Sequence, residues 1–384
     1  MAACLVAAWG CGGRKREDSP EGAKVLSKTG SAALEREIGG GRPVGDVGRW
    51  LDFPEGDSLG WVSLRESGAE GLWVSWGEAR GRVGIPRDRE VMLAVSTPEA
   101  EGLGDLQPDD VQVLYLPSYA AHGANLARIA GWTGLRELTL ENPFLGDSAL
   151  RHLAGLSSLR KLSFSAWQGA VFVPFPSRVA VTDAGLVHLR GLARMRALDL
   201  GGAEVADAGM AELADLKELE WLNLSFTHVG DAGLERLAGL VNLKSLWLQG
   251  TDVSDGGLKH LERMTALERL DLDQTRVTDA GVASLGRLPA LRSLYLNRTA
   301  VSEAALGPLA ALPALERVEL DFTRVGDGAI ETLAAMPALR HLSIYSTRVT
   351  YGGLARLKRA LPRCRVLHDG LKPPPAGPPP EPLS

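Results

Sequence analysis

The side chains of this 384-residue chain that could do chemistry do not assemble into a catalytic motif. The sequence contains no His-Glu-x-x-His and no phosphate-binding glycine loop. Three of its histidines, His152, His188 and His260, share one recurring position, where a metal ion would lack further ligands. We therefore interpret them as solvated surface residues and expect no enzymatic activity, no metal and no cofactor.

Aromatic and acidic residues at regular spacing instead predict a recognition surface. They alternate with leucines, as in 270–273, which places them on the outer face of short strands. Tryptophan and tyrosine are enriched at binding hot spots, and the carboxylates favour a basic, partly apolar protein or peptide. The alternative is that Arg269 and Arg317, on the same face, simply neutralise these acids. The predicted partner-binding residues are Trp221, Trp247, Asp271, Asp273, Tyr295, Glu319, Asp321 and Tyr345.

A repeat with a period of 24 residues must position these side chains. Its first apolar position recurs at Val111, Leu135, Leu159, Met195, Leu219, Leu243, Leu267, Leu291, Leu315 and Leu339. Every step is 24 residues except the one from Leu159 to Met195, which is 36 because of an insertion near 165–178. The aromatic residues of the insertion, which either contact a partner or fold back over the neighbouring repeats, are Trp167, Phe172 and Phe175.

Each unit follows the form Leu-x-x-Leu-x-Leu-x-x-Thr-x-Val-x-Asp-x-Gly-Leu, as in 219–234. This form resembles leucine-rich repeats, in particular the 24-residue Thr-type repeats of bacteria, which are related to cysteine-containing and ribonuclease-inhibitor-like repeats. The resemblance covers roughly 111–369. It implies a right-handed α/β solenoid, a horseshoe with a parallel sheet on its concave face, and a non-enzymatic scaffold that binds a protein partner there.

Individual positions of the unit have separate physical roles. Leu222 and Leu224 alternate along a strand, while Leu234, Leu237 and Leu240 recur on one helical face. Hydroxyl groups that bond the turn backbone are expected at Thr227, Thr251, Thr275, Thr299, Thr323 and Thr347. Helix N-caps are expected at Asp231, Asp255, Asp279 and Asp327.

The pattern of residues 43–108 predicts a small antiparallel β domain. The solenoid follows it, and we assign the solenoid to 109–369. Short period-2 runs separated by Gly and Pro, such as 61–65 and 91–95, are typical of such a domain. Its tryptophans are interpreted as an aromatic core that covers the first repeat, with an exposed carbohydrate-binding face as the alternative. These tryptophans are Trp50, Trp61, Trp73 and Trp76.

The two ends predict segments outside the folded domains. Residues 1–11 resemble a bacterial lipoprotein signal, because small apolar residues precede Cys11 and polar sequence follows it. The resemblance implies lipidation of Cys11 and a location in the cell envelope; the alternative is a cytoplasmic protein. Residues 12–42 are typical of a flexible linker, and 370–384 of a disordered Pro-rich tail.

The composition is that of a soluble globular protein, with 45% hydrophobic and 23% charged residues. A net charge of -5 supplies no reason to bind nucleic acid or an anionic membrane. The three cysteines form no disulfide framework, and Cys364 is expected to be buried at an apolar repeat position. We expect a monomer that reaches a membrane only through a lipid anchor. The alternative function is an envelope lipoprotein that binds carbohydrate or another surface ligand through the Trp-rich domain.

Overall fold

The structure is a computed structural model that describes residues 47–68, 72–164 and 179–369. Four predicted features lie outside the described residues: Cys11, the 12–42 linker, the 165–178 insertion and the 370–384 tail. Within the described ranges, no helix is long and apolar enough to span a membrane.

The described residues form short strands that alternate with short helices over most of the chain. The strands are β1 (Val47–Asp52), β2 (Gly60–Glu66), β3 (Val74–Glu78), β4 (Arg82–Pro86), β5 (Arg89–Val95), β6 (Val113–Leu116), β7 (Glu137–Leu140), β8 (Lys161–Ser163), β9 (Val179–Thr182), β10 (Ala197–Asp199), β11 (Ala203–Glu204), β12 (Trp221–Asn223), β13 (Ser245–Trp247), β14 (Arg269–Asp271), β15 (Ser293–Tyr295), β16 (Arg317–Glu319), β17 (His341–Ser343) and β18 (Arg365–Leu367). The α-helices are α1 (Gly123–Ile129), α2 (Asp147–Leu150), α3 (Asp183–Leu186), α4 (Met210–Leu213), α5 (Asp231–Leu237), α6 (Asp255–Leu258), α7 (Asp279–Leu285), α8 (Leu306–Ala310), α9 (Ile330–Ala334) and α10 (Tyr351–Ala360). Short 3-10 helices occupy Glu101–Asp105, Arg151–Leu153, Val187–Leu189, Asp207–Gly209, Lys259–Leu261, Glu303–Ala305 and Asp327–Ala329.

One sheet of 14 strands runs along the described part of the molecule. Its strands from β5 to β18 are parallel, because a helical crossover returns the chain to the start of each new strand. Leu222 pairs with Leu246 on the adjacent strand, and Leu246 pairs with Leu270 on the next. Equivalent residues of successive repeats are therefore in register. At the N-terminal end, β2 pairs antiparallel with β3 and β5, while β1 and β4 form a separate antiparallel pair. Strand β5 thus joins the predicted antiparallel unit to the parallel sheet without a break.

The repeated leucines form a continuous core between the sheet and the helices. Leu222, Leu224, Leu234, Leu237 and Leu240 are all completely buried. A single repeat cannot bury its apolar face alone, so the units stack. Packed helices need about 8–10 Å between their axes, whereas parallel strands need about 4.8 Å. The stack therefore curves with the helices outside and the sheet on the concave side.

A threonine closes the turn after each strand of the central repeats, as its position in the sequence predicts. The Thr227 hydroxyl donates to the Leu224 carbonyl at 2.6 Å, and Thr251 bonds Leu248 in the same way at 2.7 Å. The residue before each threonine adopts a positive φ, which is free of strain only for glycine. These residues are Phe226, Gly250, Gln274, Arg298, Phe322 and Ser346.

The recurring aspartates do not cap their own helices, which corrects the expectation from the sequence. The N-cap of α6 is Ser254, one residue earlier. Asp255 opens α6 and turns to the next repeat, where its Oδ1 accepts from the Thr278 N–H at 2.7 Å and its Oδ2 from the Thr278 hydroxyl at 2.6 Å. The helices are short and lie side by side, so this carboxylate is closer to the start of the neighbouring helix. The same inter-repeat bonds are made by Asp231, Asp279 and Asp327.

A glycine two positions after most of these aspartates makes room for the carboxylate of the preceding repeat. A Cβ atom on Gly281 would lie 2.3 Å from Asp255 Oδ1, and one on Gly257 would lie 2.6 Å from Asp231 Oδ1. The Asp-x-Gly of the repeat thus acts between repeats, the carboxylate of one unit fitting against the glycine of the next. The same close approach is found at Gly185, Gly209, Gly233 and Gly353.

The N-terminal tryptophans do not form the core of the antiparallel unit, contrary to the favoured interpretation. Trp50 is 49% exposed and Trp61 is 46% exposed. Strand alternation explains both, because the adjacent Leu51 and Val62 point inward. Of the other two, Trp76 packs at the edge of the core and donates from Nε1 to a backbone carbonyl at 3.1 Å. The core here is built from Leu51, Phe53, Leu59, Val62, Leu64, Ile85, Val91 and Leu93.

Cys364 is only half-buried, which also differs from the expectation of a core thiol. It lies just before β18, the last strand of the sheet within the described residues, which has a neighbouring strand on one side only. Its partial burial still raises the pKa of the thiol above the ordinary cysteine value.

Candidate functional site

The outward side chains of the parallel strands form one continuous concave face. Asn223, Trp247, Asp271 and Tyr295 are direct neighbours across β12 to β15, with strands about 4.8 Å apart. The residues two positions before and after them along each strand point to the same side. All eight predicted partner-binding residues therefore lie on this face, across β12 to β17 and the turns after them; their role in binding stays a prediction. We call Trp221, Trp247, Tyr295 and Tyr345 the aromatic row.

Two members of the aromatic row stack on each other. The ring centroids of Trp247 and Tyr295 are 6.0 Å apart, with 26° between the ring planes. Strand β14 lies between their strands, so the rings lean toward each other across Asp271. Asp271 is consequently only 1% exposed, and Tyr295 is also only 1% exposed. This packing fixes the rings, and about 0.5–1.5 kcal/mol is typical for such an aromatic pair beyond area burial.

The predicted acidic residues form a hydrogen-bonded ladder within the protein. Asp273 Oδ1 accepts from the Asn297 N–H at 2.8 Å, and Asp273 Oδ2 accepts from Asn297 Nδ2 at 3.0 Å. Asn297 Oδ1 in turn accepts from the Asp321 N–H at 2.7 Å. Each side chain thereby satisfies backbone groups where the strands end, and Asp273 is only 2% exposed.

The ladder continues toward the C-terminus at Asp321. Its Oδ1 accepts both the Ser343 hydroxyl at 2.6 Å and the Tyr345 N–H at 2.8 Å. Asp321 is buried as well. Three of the four predicted carboxylates are therefore buried and form hydrogen bonds within the protein. Any direct contact with a partner has to come from the remaining, partly exposed residues of the face.

Those partly exposed residues are mostly aromatic and basic. Trp221, Trp247 and Tyr345 are half-buried, as is the predicted acid Glu319. The Glu319 carboxylate accepts from Asn297 Nδ2 at 3.0 Å and lies 3.8 Å from a guanidinium nitrogen of Arg317. This short distance agrees, at Arg317, with the alternative that the arginines of this face neutralise its acids.

Two further aromatic residues near this face are not among the eight predicted partner-binding residues. Trp61 extends the face into the antiparallel unit, because it pairs with Ala94, which pairs with Tyr115. Phe322 is 48% exposed at the turn beside the aromatic row, with the Arg298 guanidinium 4.3 Å from its ring centroid. The register of the strands could have indicated Trp61. Phe322 could have been noticed from its turn position, which a glycine occupies in another repeat.

Tyr115 lies on the same face in the first repeats and has a shifted ionisation. Burial raises the pKa of its hydroxyl far above the ordinary value, and the adjacent Glu141 raises it further through a hydrogen bond and its negative charge. The Tyr115 hydroxyl therefore keeps its proton to a higher pH than an ordinary tyrosine and donates it in the hydrogen bond to Glu141.

The described residues contain no group of three or more His, Cys, Asp or Glu side chains that could hold a metal ion. Of the three histidines that share a helical position, His152 has a pKa lowered by partial burial and by the neighbouring Arg151. The described part of the molecule thus contains no assembled metal centre.

The comparisons with known proteins agree with this architecture. The family model described as Leucine Rich repeat matches residues 219–238, which is close to one unit. The solved structure of an internalin (inlF) from Listeria monocytogenes is 18% identical, covers 74% of this chain and 87% of its own, and superposes with a TM-score of 0.51. The fold is a leucine-rich repeat solenoid. An internalin C2 structure from the same bacterium is 23% identical over 58% of this chain and 84% of its own, with a TM-score of 0.42.

No curated protein matches the chain in sequence. The internalin likeness therefore concerns the fold of the leucine-rich repeat solenoid, with its parallel sheet and stacked helices. The properties that distinguish this solenoid from others are its own outward residues: the aromatic row, the buried carboxylates beneath it and the arginines at its edge.

Proposed function

We propose that this leucine-rich repeat solenoid is a non-enzymatic scaffold that binds a protein or peptide on its concave face. The observation that carries the proposal is the aromatic row, in which Trp247 is stacked on Tyr295 on either side of the buried Asp271. Solenoids use their concave surfaces as extended binding sites. A pre-ordered aromatic surface suits binding, because little side-chain entropy remains to be lost.

The chemistry of the row favours a partner segment that is apolar or cationic. Half-buried indole and phenol rings provide apolar contact area, and a cation can approach their faces. Trp247 Nε1 is also buried and has no hydrogen-bond partner among the described residues, so a partner carbonyl that reaches it would supply the missing acceptor.

Partner capture followed by point variants tests the proposal. A partner is first identified by affinity capture from native lysate with mass spectrometry, and its dissociation constant is measured with purified protein. Trp221→Ala and Trp247→Ala should each weaken binding by at least tenfold, as expected for hot-spot residues. The matched control is Tyr351→Ala, because Tyr351 is an exposed aromatic at the start of α10, away from the strands. Equal binding by all four proteins would reject the concave site while leaving the scaffold role open.

A second candidate function rests on the N-terminal tryptophans. Trp50 and Trp61 each leave nearly half of their surface exposed, and the Arg82 guanidinium lies 5.0 Å from the Trp50 ring centroid. Exposed indole rings of this kind suit a surface ligand such as a carbohydrate. Glycan-array binding by the full chain that is lost in Trp50→Ala and Trp61→Ala would support this function. Unchanged array signals in both variants would reject it.

A further inference from the structure

A cavity of about 400 Å³ lies where the antiparallel unit meets the first repeats, away from the aromatic row. Its charged lining residues are Arg49, Arg87, Asp88, Arg89, Glu90 and Arg136. The arginines reach it from separate elements: β1, the turn between β4 and β5, the start of β5 and the segment before β7. Four arginine residues thus line one space whose wall holds only two acidic residues.

One of the two carboxylates is already fully used. Glu90 is 5% exposed, and its Oε2 accepts from Arg65 through Nε at 3.2 Å and Nη2 at 2.6 Å. Its Oε1 accepts from Arg136 Nη1. Two guanidinium groups therefore share the Glu90 carboxylate, and Arg65 Nη2 also lies 4.0 Å from Glu137 Oε1.

Arg49 has no charged partner of opposite sign among the described residues. Its Nη2 donates to two neutral acceptors, the Asp110 carbonyl at 3.0 Å and Gln112 Oε1 at 3.4 Å. Its Nε is buried and has no acceptor. A partly buried cation without a counter-charge is unfavourable, and arginine forks bind oxyanions well. This is the observation that indicates an anion from outside the chain.

We propose that this arginine-lined cavity binds a phosphate group, either inorganic phosphate or a phosphate monoester. A tetrahedral phosphate presents several oxygens in different directions, which matches guanidinium groups that arrive from separate elements. A planar carboxylate would instead pair with only one guanidinium group at a time. The volume also leaves room for more than the anion itself, so a small phosphorylated molecule fits the same chemistry. This site is independent of the concave-face proposal.

Isothermal titration calorimetry on the full chain tests the proposal, with inorganic phosphate as the probe and acetate at matched ionic strength as the comparison. We expect saturable phosphate binding that is at least tenfold tighter than acetate binding. Arg49→Gln and Arg89→Gln should each weaken phosphate binding at least tenfold. The control is Arg276→Gln, an exposed arginine whose Nη2 pairs with Asp252 at 2.6 Å outside the cavity, and it should bind like the wild type.

Circular dichroism of each variant separates loss of the site from loss of the fold. If Arg49→Gln does not fold, Arg89→Gln decides, because Arg89 pairs with the exposed Glu66 and its removal costs little stability. Lack of saturable phosphate binding would overturn the proposal, as would acetate binding of equal strength. Binding that is unchanged in the folded variants would also overturn it. A phenyl phosphate titration distinguishes the two sources, since a monoester site should bind it more tightly than inorganic phosphate.

Discussion

Asp255 joins two repeats through a single side chain. Its carboxylate accepts the backbone N–H and the hydroxyl of Thr278 in the next unit. Asp255→Ala leaves both donors without their partner, and we expect the free energy of unfolding to fall by about 1–3 kcal/mol. Urea denaturation followed by circular dichroism measures this change. Asp252→Ala is the control, because Asp252 forms an exposed ion pair with Arg276 that contributes roughly 0–1 kcal/mol; equal losses would contradict the assigned role.

Tyr115 predicts a pH dependence of stability. Its pKa is raised in the folded state, so the unfolded chain releases the phenol proton first as pH rises. The contribution of Tyr115 to stability is complete below about pH 10 and is lost as pH rises through the folded pKa. Tyr115→Phe should therefore lose less stability between pH 9 and 11 than the wild type, as measured by urea midpoints. The exposed Tyr351→Phe serves as the control, and a Tyr115→Phe profile that matches the wild type would refute the prediction.

At the scale of the helices, glycine sets the distance between neighbouring repeats. A methyl group on Gly281 in α7 would meet Asp255 Oδ1 at 2.3 Å, whereas Gly307 in α8 has open space around it. We expect Gly281→Ala to destabilise the protein by about 1–3 kcal/mol through overpacking. Gly307→Ala should instead stabilise it by about 0.5–1 kcal/mol, because alanine favours the helix. Thermal unfolding of both variants gives the comparison, and shifts of the same sign would disprove this account of the Asp-x-Gly pair.

At the scale of the strands, curvature changes what the outward residues do. Asp271, Asp273 and Asp321 point out of the sheet, as their alternation with leucine predicts, yet they are buried. Adjacent strands crowd these side chains on the concave side, where polar groups bond one another. The acidic stripe expected from the sequence is therefore largely buried, and Trp221, Trp247 and Tyr345 are the partly exposed members of the aromatic row.

For the whole molecule, lipidation of Cys11 is a proposal about location. The apolar residues before Cys11 and the polar sequence after it suggest a lipid anchor that would hold the solenoid at a membrane surface. Cys11→Ser should then move the protein from the membrane fraction to the soluble fraction of its native cell, as shown by fractionation and immunoblotting. Cys4→Ser is the matched control and should leave the distribution unchanged. A wild-type protein found in the soluble fraction would contradict the proposed lipid anchor.

The amino-acid sequence by itself determined the repeat, its period and the parallel stack. Leucine spacing sets which side of each strand and helix is apolar, and that information is local to about 24 residues. The same alternation correctly placed Trp247 and Tyr295 on one outward face. The threonine turns were predictable for a similar reason, because each hydroxyl bonds a carbonyl only three residues away.

Only the tertiary structure decided which outward residues are exposed and which partners they have. Asp255 is one residue from the cap of its own helix, yet it bonds Thr278 in the next repeat. Trp50 and Trp61 lie outside because smaller apolar neighbours fill the core of the antiparallel unit. Arg49 and Arg136, which are 87 positions apart, line one cavity. Burial and charge pairing depend on side chains that stacking and curvature bring together. The period of the repeat along the sequence does not specify which side chains become buried or paired.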